Sequence, residues 1–235
     1  MGNREHNDEI RQMIHGFIGE HPEVIEVLVD FAGKYPALKK QIPDILKVYI
    51  KLIECFEKGH ILYLCGNGGS IADCMHLSAE LLKSFEKKRW LTPTDRSAFD
   101  GLPFSDELSS NLEYGFPVMV LGLNHSLLTA VENDNPVRSM EYAQELYALG
   151  RKGDVLIGIS TSGNAHNVNY ALVTAKAKGL TTIGFTGKTG GELSSIADIA
   201  IKAPASAVNE VQEMHLPIYH TISAMIESHF FKESR

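Results

Sequence analysis

The sequence predicts one α/β domain with additions: a parallel sheet covered by helices on both faces, preceded by helices alone. Three observations point there. From Gly59 onward, short apolar runs at Ile61–Cys65, Val118–Leu121, Val155–Ile159, Thr182–Phe185 and Ile199–Ile201 end in clusters of Gly, Ser, Thr and Asn. Helical patterns at about Ile71–Phe85, Val137–Leu149 and Ala165–Lys178 follow such runs, which is the alternation of a βα repeat. The runs are apolar throughout rather than alternating, as expected of parallel strands buried on both faces.

Before Gly59 only helical spacing is seen. Apolar residues recur at Ile10, Met13, Ile14 and Phe17, at Val24, Ile25 and Leu28, and at Ile45, Leu46, Tyr49, Ile50 and Ile53. These predict two or three helices, broken near His21-Pro22 and Tyr35-Pro36. The chain therefore divides into a helical extension over residues 1–58, expected to pack on the domain and on a subunit interface, and an α/β domain over 59–235. The final helix, about Val208 to Phe231, carries Val211, His215, Ile218, Ile222, Met225 and Ile226 on one side. Pro217 inside it removes a hydrogen bond and predicts a kink. Residues 91–115, Leu91–Gly115, are too long and too polar for a plain connection and read as an insertion, either a functional lid or a partly disordered segment.

Composition narrows the function. The chain has 235 residues, 44% hydrophobic, and 22 Lys and Arg against 29 Asp and Glu leave a formal charge of −7. That balance argues against a nonspecific nucleic-acid binder or a protein of anionic membranes, but not against a small-anion site built from backbone donors. Cys55, Cys65 and Cys74 match no zinc-ligand spacing and read as reduced thiols. A charged N-terminus and the lack of any apolar stretch near 20 residues predict a soluble cytoplasmic protein.

Ligands of open α/β sheets sit beyond the carboxyl ends of the strands, and two such ends carry anion-type loops. Gly66-Asn67-Gly68-Gly69-Ser70 opens a helix, where glycines let backbone N–H groups approach a ligand. It is not a dinucleotide fingerprint, because Ile71 occupies the place of the third glycine. Gly158-Ile159-Ser160-Thr161-Ser162-Gly163-Asn164 places three adjacent hydroxyls at another helix start. Each alone could be a turn or a cap; the two together favour a phosphorylated ligand. His76 and Glu80, one helical turn apart, share a face of the helix that begins at the first loop. On the last helix, His215 falls on the apolar stripe and reads as a core or interface histidine. Gln212 and His220 lie about 12 Å apart along a straight helix, so that one small site could use both only through a bend or through different subunits.

Gly66-Asn67-Gly68-Gly69-Ser70 followed by Met75-His76 and Glu80, then Ile159–Asn164, then Thr186-Gly187-Lys188 with Gly190-Gly191, then Val211-Gln212-Glu213 with His215 and His220, resemble the sugar isomerase (SIS) domain family, in particular its phosphoheptose isomerase branch. The likeness covers about Val48 to Ser228. It implies a three-layer α/β/α sandwich, flavodoxin-like, around a five-stranded parallel sheet, and a homotetramer with shared active sites. The implied activity is conversion of sedoheptulose 7-phosphate to D-glycero-D-manno-heptose 7-phosphate through an enediol, for cell-envelope or capsule glycans. Glu80 matches the general base and His220 the general acid. Phosphate would rest on Ser70, Ser160, Thr161 and Ser162, with Asn67, Gly68, Gly69, Asp134, Glu80 and Gln212 also lining the substrate. His76, Glu80, Gln212 and His220 match the positions that hold zinc. The chain departs from the pattern at Ala165, Glu210 and Ser84, in place of a serine and two arginines, and in the length of Leu91–Gly115. Two other readings stay open: a non-catalytic SIS module that senses a sugar phosphate or binds a protein partner, and an isomerase of another phosphosugar.

Overall fold

The computed structural model describes residues 24–231. The predicted periodicity at Ile10–Phe17 and the break at His21-Pro22 lie outside them. The chain runs α1 (Ile25–Lys34), a 3-10 turn (Pro36–Gln41) and α2 (Ile42–Glu57), with the predicted interruption at Tyr35-Pro36. Then come β1 (Leu62–Gly66), α3 (Gly69–Leu82), two short helices α4 (Pro93–Ser97) and α5 (Ser105–Asn111), β2 (Val118–Val120), α6 (His125–Asp134) and α7 (Glu141–Leu149). The remainder is β3 (Val155–Ile159), α8 (His166–Ala177), β4 (Thr181–Thr186), α9 (Leu193–Ile196), β5 (Ile199–Lys202) and α10 (Val208–Phe230).

The five strands form one parallel sheet in the order β2-β1-β3-β4-β5. Because side chains alternate across a strand, β1 and β3 supply both cores. Leu62, Leu64, Ile157, Ile183 and Phe185 pack under α1, α2, α3 and α10. Tyr63, Cys65 and Leu156 pack under α7, α8 and α9. The N-terminal helices thus share one continuous core with the sheet: Leu28, Leu46, Tyr49 and Leu52 are fully buried within it. All three cysteines are buried and free, and burial pushes the thiols up, Cys55 to about 12, so they are poor nucleophiles. No helix of the described residues is long and apolar enough to cross a membrane.

Three elements differ from expectation. The helix expected to reach Phe85 ends at Leu82, because the backbone N–H groups of Phe85, Glu86 and Lys87 donate to the Glu227 carboxylate (2.8–3.0 Å) instead of to the preceding turn. The helix expected from Val137 begins at Glu141; Val137 N–H turns to the Asn135 side chain, and Ser139 has φ 66°. A separate helix, α6, precedes it, unseen in the sequence because it buries no residue. At Pro217 the last helix is continuous. Its Pro217 carbonyl also accepts from the Thr221 hydroxyl at 2.7 Å.

Leu91–Gly115 holds the two short helices α4 and α5. Thr92 and Asp95 form a reciprocal cap on α4. An antiparallel bridge, Trp90 to Glu113, and a Lys88–Glu113 ion pair at 2.9 Å close its base.

Candidate active site

The sheet order reverses direction between β1 and β3, the switch point at which open α/β sheets leave a crevice. The two glycine- and serine-rich loops leave the sheet at these adjacent strand ends. Asn67 and Asn167, at the start of α8, exchange side-chain hydrogen bonds across it at 2.8 and 2.9 Å. Asn167 also donates to Glu141 at 2.7 Å, and the Tyr142 hydroxyl donates to the Gly66 carbonyl at 2.6 Å and reaches the Asn67 side chain at 3.2 Å. Asn67 is thereby held by the protein. Asn167, Glu141 and Tyr142 escaped the sequence reading; the only signal was the place of Asn167 in the first turn after the second loop.

The hydroxyls that were expected to bind phosphate sit at three depths. Ser70 and Ser160 are buried, Thr161 is half-buried and Ser162 is exposed. The loop after β4 braces the second cradle: Gly187 N–H donates to the Thr161 carbonyl and Leu193 N–H to the Gly163 carbonyl, each at 2.9 Å, and Glu192 N–H donates to the Asn164 side chain at 3.0 Å. Gly163 has φ +71°, and a Cβ there would lie 2.1 Å from the Gly190 carbonyl oxygen. Gly163→Ala is therefore expected to lower stability by about 1–3 kcal/mol and to weaken retention of a phosphate ester. Urea unfolding and ligand-induced thermal shift check both, and wild-type values in either would contradict the bracing.

Further along α3 a second group of side chains converges. His76 Nε2 lies 3.0 Å from Glu80 Oε1 and 3.4 Å from His220 Nε2 of α10. The three offer one ligand atom apiece within 4.8 Å of one another. Two imidazoles and a carboxylate, open to solvent on one side, suit a divalent cation of borderline softness. Burial first, then the neighbouring His76, holds the His220 imidazole below its usual pKa, opposed by Glu80. Gln212 is elsewhere in this chain: its amide lies against Gly69, where an added Cβ would meet Nε2 at 2.3 Å. Gln212 and His220 thus follow α3 from its first residue to its middle, about 12 Å apart along α10, without converging on one atom. Asp134, at the end of α6, accepts from the Asn133 side chain at 2.9 Å and lines a groove with Leu127, Val131 and Gln144.

His76 is backed by Tyr219, whose hydroxyl is 3.0 Å from His76 Nδ1 and 3.5 Å from Asp73 Oδ1. Burial raises Asp73 to about 6, against Tyr219 and His76. Two more buried polar groups tie α10 to the site. His215 is the core histidine that its place on the stripe predicts: Nε2–H donates to the Thr186 carbonyl at 3.2 Å, at the start of the bracing loop. Arg89 and Glu227, both wholly buried, pair at 2.7 Å, and Arg89 also donates to the carbonyls of Leu81 and Glu80 at 2.9 Å, at the end of α3.

Burial favours neutral His215, taking it from 6.5 to about 4. Between those values the unfolded chain binds more protons than the folded one, so stability is complete above about pH 6.5 and falls as pH drops toward 4. The loss is on the order of 3 kcal/mol. His215→Leu is expected to flatten that limb, measured as unfolding free energy at pH 7.5 and 4.5; an unchanged slope would assign the acid sensitivity elsewhere.

Comparison with known proteins agrees with this geometry. The SIS domain profile matches residues 114–187. The chain is 33% identical over 209 residues to a phosphoheptose isomerase of Roseiflexus sp., covering 89% of this chain and 92% of that one. It is 36% identical over 194 residues to one from Clostridium acetobutylicum, covering 83% and 85%. Among solved structures, phosphoheptose isomerase from Neisseria gonorrhoeae superposes with a TM-score of 0.66 at 25% identity, over 93% of this chain and 98% of that chain. Motifs, sheet order, switch-point loops and relatives agree, and the chain belongs to the phosphoheptose isomerase family of SIS-domain proteins.

Proposed function

We propose that this protein is an aldose–ketose isomerase that converts sedoheptulose 7-phosphate to D-glycero-D-manno-heptose 7-phosphate in the cytoplasm. The observation that carries the reading is the meeting of Glu80 and His220, from two different helices, beside His76. A ketose becomes an aldose when a proton leaves C1, an enediol forms, and the proton is returned to C2. One carboxylate, Glu80, can make both transfers. His220 gives a proton to the C2 oxygen and takes one from the C1 oxygen, work suited to an imidazole whose pKa lies near or below neutrality.

The phosphate rests on Ser70, Ser160, Thr161 and Ser162 with backbone N–H groups at two helix starts, and Asn67, Gly68, Gly69, Asp134 and Gln212 face the sugar. His76, Glu80 and His220 fit zinc, with Gln212 as a fourth ligand. When bound, the metal would supply polarisation of the substrate carbonyl. Ser70 and Glu80 are about 15 Å apart along α3, and Gln212 stands off from the three clustered ligands. Both facts favour sites completed by a neighbouring copy in a homotetramer.

The test is to incubate purified protein with sedoheptulose 7-phosphate, with and without zinc, and follow the aldose. Conversion that is lost in His220→Ala supports the reading. No turnover on any five- to seven-carbon ketose phosphate with zinc present rejects it.

A further inference from the structure

Phe85 is a large apolar side chain that the hydrophobic cores do not use. It is half-buried, stands in the turn after α3, and belongs to none of the clusters of buried apolar residues. Its ring instead faces His220, with centroids 5.4 Å apart and planes at 37°. The His220 ring also meets the His76 ring nearly edge-on, at 4.9 Å and 83°. The imidazole read as the general acid is thus flanked by two rings.

A buried carboxylate fixes the place of Phe85. Its own N–H, with those of Glu86 and Lys87, donates to Glu227 at 2.8–3.0 Å. Glu227 is fully buried and lies seven residues after His220 on α10, about 10 Å along the helix. The turn is therefore tied to the same helix that carries His220. Arg89, paired with Glu227, donates to the Glu80 carbonyl at 2.9 Å, so the backbone of the proposed base is tied to the same pair.

Such a restraint matters where there is room to move. Phe85 and His220 both line a cavity of about 300 Å³ between α1 and α10, walled further by Phe31, Lys34 and Thr221. A half-buried side chain beside open volume has more than one staggered well within reach. An acid that must serve two neighbouring substrate oxygens loses rate whenever it is out of place.

We propose that Phe85 is a positioning residue for His220: its ring, held through Glu227, keeps the imidazole beside Glu80 and His76 and out of the cavity. A phenyl ring has no proton to give or accept, so its contribution is geometric alone. The inference rests on the reading of His220 as the general acid, and goes beyond it by naming what holds that acid in place.

Phe85→Leu keeps the backbone donors and the apolar character but removes the ring. With zinc present, it is expected to lower kcat for ketose-to-aldose conversion by about 10-fold, with KM within about twofold of wild type. Phe85→Tyr, which keeps the ring, should retain wild-type kcat. In a His220→Ala background, Phe85→Leu should cost nothing further, because the group it positions is gone. A crystal structure of Phe85→Leu should show the His220 ring displaced toward the cavity or in two conformers. A kcat in Phe85→Leu within about twofold of wild type, an equal fall in the His220→Ala background, or an unmoved His220 ring overturns the inference and leaves the isomerase reading intact. A wild-type protein that turns over no five- to seven-carbon ketose phosphate overturns both.

Discussion

Glu80→Gln is expected to lower kcat for ketose-to-aldose conversion by about 10²–10⁴-fold, the usual worth of a positioned general base, with little change in KM. The substitution keeps volume, shape and an oxygen that faces His76, so the protein should fold and hold substrate as before. What it removes is the ability to accept a proton. Solvent deuterium separates this role from a merely structural one: wild type should exchange the substrate's C1 hydrogen and Glu80→Gln should not. Persistent exchange in the variant would mean that another group takes the proton, and His220, close to both Glu80 and His76, would be the first to consider.

Arg89→Met is expected to destabilise the fold by about 3–5 kcal/mol, the penalty for leaving half of a buried ion pair uncompensated. Its partner Glu227 is fully enclosed and accepts from Arg89 Nε and from the backbone N–H groups of Phe85, Glu86 and Lys87. Replacing both members by apolar residues, which rescues many buried pairs, should not restore stability here. Three amides would still lose their acceptor, and the carbonyls of Glu80 and Leu81 would lose the guanidinium that terminates α3. Urea unfolding of the single and double variants measures this; a loss below about 1 kcal/mol would place the pair among surface-like contacts, contrary to its burial.

The parts of this structure that were legible in the sequence are those set by local pattern. Strand cores such as Val155–Ile159 are apolar on both faces and announce themselves, and the pairing of His76 with Glu80 follows from one turn of helix. Parts that depend on what lies beside them were not legible. The end of α3 is decided by Glu227, more than a hundred residues later, and no local pattern from Leu82 to Phe85 discloses it. The Asn67–Asn167–Glu141 network requires β1 to neighbour β3, which is a property of sheet order. His215 was readable because burial on an apolar stripe is itself periodic.

The bond between Asn67 and Asn167 joins residues separated by 100 positions in sequence. The ribosome adds roughly 5–20 residues per second, so the second cradle emerges about 5–20 seconds after the first. During that interval the nascent chain displays one glycine loop with nothing opposite it. The proposed phosphate site is therefore complete only once the sheet has reached β3 and α8, late in synthesis, and a fragment that stops before β3 would carry one of its two loops.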